Sequence, residues 1–376
     1  MFGAYIHIPF CRHKCGYCDF NSYAGIPELS EAYTAALIGE IDRFRASGLG
    51  SPLDTVYIGG GTPTYINDRL LLKILSALDK KLYIRSGAEI TVECNPGTAD
   101  ERKLKNLFGG GVNRLSLGLQ SADDGILKRL GRIHTYADFL SCFSAARSAG
   151  FKNISVDLMF GLPGQSCDIW LDTIDKTAAL SPEHISAYSL KIEEGTPFFE
   201  LHSRGELDVP DDDENRDMYD MAAARLREEG YHRYEISNFA KPGAQSRHNT
   251  LYWTLEDYIG FGAGAHSYIG GRRYSNVSDV REYISRFSKG DDIQTEYESG
   301  SLFDTMCEFV FLGLRMDCGI SKAEFKKRFG TDIYEVFGNA LKRHTEILGT
   351  LEDSGDRLRI KSEYIYVSNQ ILSDFV

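Results

Sequence analysis

Six stretches of this chain repeat one order, strand and then helix, and nothing else in the sequence constrains the fold as tightly. "GAYIHI" (3–8), "DTVYIGG" (54–60), "AEITVEC" (88–94), "VNRLSLGLQ" (112–120), "NISVDLMFGLPG" (153–164) and "EHISAYSLKI" (183–192) are rich in β-forming residues. Helical periodicity follows each one, over 30–48 (with Ser30 as a candidate N-cap), 67–81, 99–108, two short stretches ending near Gly150, 168–180 and 213–230. Strands joined by helices run parallel, and right-handed crossovers roll such a sheet toward a barrel. The expected fold is α/β, a partial (β/α)6 barrel over residues 1–240.

Past residue 240 the periodicity changes. "KPGAQSRHNTLYWTLEDYIGFGAGAHSYIGGRRYSN" (241–276) is rich in Gly, aromatics and His and is expected to belong to a connecting segment, 241–299. Residues 300–376 are expected to form a smaller α+β domain, helical and winged-helix-like. Helices are expected near 302–315, 321–329 and 332–348, and "RLRIKSEYIYVS" (357–368) reads as a small hairpin.

A formal net charge of −12 argues against a nucleic-acid partner. The mixed charges of "SKAEFKKRFGTD" (321–332) likewise disfavour a DNA-reading wing. The first ten residues lack the charged region and cleavage site of a secretory signal, and no apolar run is long enough to span a bilayer. A cytoplasmic protein with reduced thiols is expected, with peripheral membrane contact left open.

In β/α barrels the working residues sit at the C-terminal ends of strands. Those ends carry the chain's peculiarities: a cysteine loop, then "GGGTPT", "ECNPG", "LGLQS" and "DLMFGLPGQ". The loop "HIPFCRHKCGYCDF" (7–20) places Cys11, Cys15 and Cys18 together without a local fourth cysteine, while Cys94, Cys142, Cys167, Cys307 and Cys318 are scattered and read as small buried hydrophobes. Structural zinc is usually closed by four protein ligands, and His13 is too local to complete the set. Three thiolates on a four-iron cluster instead leave one iron open to an outside ligand.

C-x3-C-x2-C, with Tyr17 just before the third cysteine, resembles the radical S-adenosylmethionine (SAM) pattern, and "GGGTPT" resembles its second motif. The resemblance implies a [4Fe–4S] cluster on Cys11, Cys15 and Cys18, SAM on its open iron, and a deoxyadenosyl radical on electron donation. It also implies that a side chain at Gly60 would collide with the methionine end of SAM. Over nearly the whole chain, "YIHIPFC", "GGGTPT", "ECNP", "NRLSLGLQS", Arg132, "DLMFGLPGQ" and the C-terminal domain resemble the oxygen-independent coproporphyrinogen III oxidase group. Carried over residue by residue, Tyr5, Tyr17, Gly60, Gly61, Thr62, Glu93, Gln120, Arg132 and Asp157 are the implied SAM contacts.

Certain departures choose a branch. The oxidases carry a fourth cysteine where this chain has Phe20, a longer N-terminal arm, and a small residue near a second SAM where this chain has Lys191. With "HNTLYW" (248–253), these features resemble the HemW haem-chaperone branch, which implies haem as ligand and respiratory haemoproteins as recipients. The alternative is coproporphyrinogen oxidation in porphyrin synthesis. A haem carrier needs an axial ligand and cations for the propionates. His248, beside Tyr252 and Trp253, is the candidate ligand, with His266 and His7 as rivals; Arg247, Arg272 and Arg273 are the candidate cations.

Overall fold

The computed structural model describes the backbone throughout and the side chains of all residues except 296–299. Six strands lie side by side in chain order and run parallel: β1 (Gly3–Ile8), β2 (Leu53–Gly60), β3 (Ile84–Cys94), β4 (Arg114–Gln120), β5 (Ile154–Phe160) and β6 (His184–Ser189). This is the expected partial (β/α)6 sheet.

The crossover helices start where the sequence supplies caps. Asn67 accepts from the Arg69 amide, Asp100 from that of Lys103, and Thr135 with Asp138 forms a reciprocal capping box. Ser30 is an exception. A 3₁₀ turn, Pro27–Leu29, feeds straight into the helix Ser30–Ala46, and the Ser30 hydroxyl donates backwards to the Pro27 carbonyl at 2.7 Å.

Alternation along the strands separates two environments. Val56, Ile58, Val92, Leu115, Leu117, Val156, Leu158 and Ile185 point outward and are wholly buried beneath the helices. Tyr57, Glu93, Arg114, Ser116, Asp157 and Ser186 point inward and line a cavity. The inner face is therefore polar, which a barrel built only for stability would not need.

The segment 241–299 does more than connect. Tyr258–Phe261 pairs parallel with β1, and His266–Ile269, Arg272–Asn276 and Gln294–Ser299 extend the sheet antiparallel. At the opposite edge, Asn238–Ala240 pairs with β6. The helix Arg247–Trp253 closes the N-terminal end of the barrel, where the amides of Arg247 and His248 donate to the Glu89 carboxylate at 3.1 and 3.0 Å.

Residues 302–375 pack helices Leu302–Gly313, Lys322–Phe329 and Ile333–Lys342 against a three-stranded sheet. Its hairpin joins Leu351–Ser354 to Arg357–Ile360, and the remainder of the stretch expected to pair turns helical at Ser362–Tyr364 and Ser368–Leu372. Arg233–Asp317 and Arg328–Glu256 ion pairs, 2.7 and 3.1 Å, tie this part to the barrel.

Candidate functional site

A cavity of about 570 Å³ opens at the C-terminal ends of the strands, within the size range of small-molecule sites. All three clustered cysteines line it. The cysteine loop is stitched to the glycine loop after β2: the Gly61 amide donates to the Ile8 carbonyl and that of Thr62 to the Phe10 carbonyl, both at 2.9 Å. A Cβ at Gly61 would lie 2.9 Å from the Phe10 carbonyl oxygen and 3.0 Å from the Cys11 Sγ, so only glycine admits this approach. From the other side, the Gly16 amide donates to the Leu130 carbonyl and the Phe198 amide to the Gly16 carbonyl. The thiols are thus fixed by backbone contacts from several loops.

Among the described residues, no three His, Cys, Asp or Glu side chains converge on a point that could hold one ion. A closed zinc site needs such convergence; a cluster whose separate irons each take one thiolate does not. Burial raises the pKa of Cys11 and Cys18, so as free thiols they stay protonated.

Beyond the thiols the cavity wall is charged. Arg132 donates from Nη2 to Asn95 Oδ1 (2.6 Å) and the Gly118 carbonyl (2.7 Å), and from Nη1 toward Cys15 Sγ (3.8 Å). Its buried Nε has no partner. Glu93 accepts from the Tyr57 hydroxyl at 2.9 Å and the Gly60 amide at 3.1 Å, yet burial still pushes its carboxyl up to about 7. Asp157 accepts from the hydroxyls of Ser116 and Ser186, both 2.8 Å, and of Ser155, 3.2 Å; burial raises it too. Gln120 holds φ +70°, a strained left-handed conformation for a residue with a side chain, at a register shift after Gly118 beyond which it still pairs with Leu158 of β5.

Of the residues implied as SAM contacts, Tyr17, Gly60, Gly61, Thr62, Glu93, Gln120, Arg132 and Asp157 line this one cavity. Tyr5 sits behind the wall, its hydroxyl bonded to His7 Nδ1 at 2.9 Å and its ring stacked on Tyr57. Gly60 contributes backbone. A Cβ there would strike the His7 ring at 2.6 Å rather than project toward a ligand.

Arg114, Tyr57 and Asn95 line the cavity as well, and sequence reasoning passed over them. Arg114 is 2% exposed, makes no ion pair within 4 Å among the described residues, and leaves its Nε unpartnered. A charged residue on the inward register of the apolar run "VNRLSLGLQ" was the signal that could have found it.

His248 lies apart from the cavity. It is wholly buried, with Nδ1 bonded to Thr55 Oγ1 and Nε2 to the Tyr252 hydroxyl, both at 2.8 Å. Both ring nitrogens are spent inside the protein, which argues against an axial ligand and for a plug in the barrel floor. Its rival His7 is similarly engaged, with Tyr5 and the Asn21 carbonyl; His266 is exposed and outside the lining. Arg247 bonds the Gly87 carbonyl and Arg273 pairs with Glu308. Cys94, Cys142 and Cys307 are buried as expected, Cys167 is half-buried, and Cys318 is exposed.

A family model for the radical SAM superfamily matches residues 5–177, and one for the HemN C-terminal domain matches 301–363. The solved Escherichia coli coproporphyrinogen III oxidase (HemN), described as a radical SAM enzyme, superposes with a TM-score of 0.87 at 21% identity, covering 100% of this chain and 89% of that one. A Lactococcus lactis protein named heme chaperone HemW is 37% identical over 95% of this chain and 92% of its own length. Its Bacillus subtilis namesake is 39% identical over 100% of this chain and 99% of its own. With identity at that level running from end to end, and the superfamily's cysteine and glycine loops packed against each other at the barrel mouth, the chain belongs to the HemW family of radical SAM proteins.

Proposed function

We propose that this protein binds haem and delivers it to haemoproteins, respiratory ones among them, and that it works in the cytoplasm. The observation that carries this reading is end-to-end identity of 39% with a protein named as a haem chaperone, against 21% with the oxidase that shares its fold. Two cavity residues support the same choice. Phe20 lines the cavity where the oxidases carry a fourth cysteine, and Lys191 lines it where they carry a small residue. No helix among the described residues is long and apolar enough to cross a membrane.

The superfamily's cofactors, a [4Fe–4S] cluster and SAM, suit the donors present. Cys11, Cys15 and Cys18 would hold the cluster. Tyr17, Gly60, Gly61, Thr62, Glu93, Gln120, Arg132 and Asp157 would meet SAM, with Tyr5 supporting Tyr57 from behind. Arg132, which lines the cavity, keeps a buried Nε without a partner among the described residues, so its hydrogen bonding is incomplete within the protein, which supports a ligand there. When bound, the two cofactors supply one-electron chemistry. The protein's own part is to position: Glu93 and Asp157 offer acceptors to ammonium and hydroxyl groups, and Arg132 offers N–H donors to a carboxylate.

The test uses anaerobically reconstituted protein, incubated separately with haem and with coproporphyrinogen III plus SAM and reductant. A stable haem complex that loads an apo-haemoprotein, without decarboxylated product, is expected. Multiple-turnover formation of protoporphyrinogen would overturn the chaperone reading in favour of the oxidase.

A further inference from the structure

The cavity that holds the cysteine loop has an apolar, cationic rim that none of the cofactor contacts uses. Phe20 is 63% exposed and Ile133 41% exposed, and Tyr188 leaves 41% of its surface bare; all three line this cavity. Large apolar side chains left bare around one concave site mark a ligand seat more often than a monomer's ordinary surface. Charge points the same way. In a chain of net charge −12, the rim gathers exposed Arg12, Lys14 and Lys191 against two carboxylates, Asp19 and Glu193. Lys14 is held against the Phe20 loop by a 3.1 Å bond to the Phe20 carbonyl.

Histidine placement adds an independent observation. Of the nine histidines, His13 alone lines the cavity. It is exposed, its Nε2 passes over Gly131, and neither ring nitrogen has a partner among the described residues. His7, His184, His248 and His344 by contrast each spend both nitrogens on hydrogen bonds.

We infer that haem seats across the mouth of this cavity: its apolar face on Phe20, Ile133 and Tyr188, its propionates toward Arg12, Lys14 and Lys191, and its iron on His13. This rests on the haem-carrier reading above and gives that reading a location. An apolar ring with two carboxylates and a metal matches the three chemistries of the rim, and an imidazole with no partner among the described residues is suited to reversible ligation. The absence of a cysteine at Phe20 then has a positive role, as a flat apolar contact beside the cluster loop.

Cluster-reconstituted protein is titrated anaerobically with haem while iron and acid-labile sulfide are monitored, so that loss of the cluster is seen separately. Phe20→Glu with Ile133→Glu should weaken haem binding at least about tenfold, from lost apolar contact and new repulsion of the propionates. His13→Ala should shift the Soret band with the cluster retained, whereas His248→Ala should leave the band in place. Unchanged affinity in the double variant overturns the seat, and an unchanged spectrum in His13→Ala overturns the ligand. Failure of the wild-type protein to bind haem at all would instead remove the carrier reading itself.

Discussion

Replacing His248 with alanine separates a structural plug from a haem ligand, and the pH dependence of stability reads the difference. The ring is enclosed, hydrogen-bonded at both nitrogens, and stacked on Tyr57 with centroids 5.3 Å apart. A neutral imidazole offers one donor and one acceptor, which suits two hydroxyl partners; a protonated ring would present two donors. Burial, reinforced by the charge of Arg114, lowers its pKa from 6.5 to about 3. At pH 7 the alanine variant loses packing and strands the Thr55 and Tyr252 hydroxyls, a cost of about 3 kcal/mol. Below pH 6.5 the unfolded chain takes up a proton that the folded chain refuses until about pH 3. Wild-type stability therefore falls with pH across that window, by about 1.4 kcal/mol per unit from this group. At pH 5 that amounts to about 2 kcal/mol, which the variant does not lose. The gap between the proteins should shrink from about 3 to about 1 kcal/mol between pH 7 and pH 5. Urea unfolding at fixed ionic strength, followed by the fluorescence of Trp170 and Trp253, measures it. His7 and His184 titrate in both proteins and cancel. A gap constant with pH would refute the buried neutral ring, and a changed haem spectrum without loss of stability would restore His248 as a ligand.

Cys15→Ser should lose most iron and sulfide on reconstitution, whereas Cys318→Ser should keep them; a normal cluster in the first variant would sink the thiolate assignment. Gly60→Ala forces a side chain into φ +115° and against His7, whose Nε2 bonds the Asn21 carbonyl at 2.8 Å behind the cysteine loop. A stability loss of about 2–4 kcal/mol with faster cluster loss is expected; weaker SAM binding at unchanged melting temperature would instead place the added group in the ligand's path. Arg114→Met removes a charge that helps hold the Glu93 carboxyl down near 7, so more of it is protonated at neutral pH. SAM affinity measured by calorimetry should drop at pH 7 and recover toward pH 8.5; a loss independent of pH would mean that Arg114 acts on the ligand directly.

The sequence alone determined the parallel barrel and gathered the candidate site residues at one end of it, because both rest on local signals. A strand-then-helix rhythm leaves few topologies, and glycines, cysteines and polar residues at five strand ends converge once the strands lie parallel. Spacing within one loop marked Cys11, Cys15 and Cys18. Contacts across long separations were decided only by the tertiary structure. His248 and Thr55 meet over 193 positions, and that hydrogen bond turns a plausible ligand into a plug. Tyr258–Phe261 became an interior strand of the extended sheet because β1 offered it an unpaired side, which four residues of local pattern do not reveal. Arg114 looked ordinary in the sequence and is set apart by burial without an ionic partner among the described residues; His13 was weighed there only as a fourth metal ligand and is set apart by being the histidine that lines the cavity. Local chemistry can be read along the chain, but whether a polar group is satisfied depends on what the fold brings beside it.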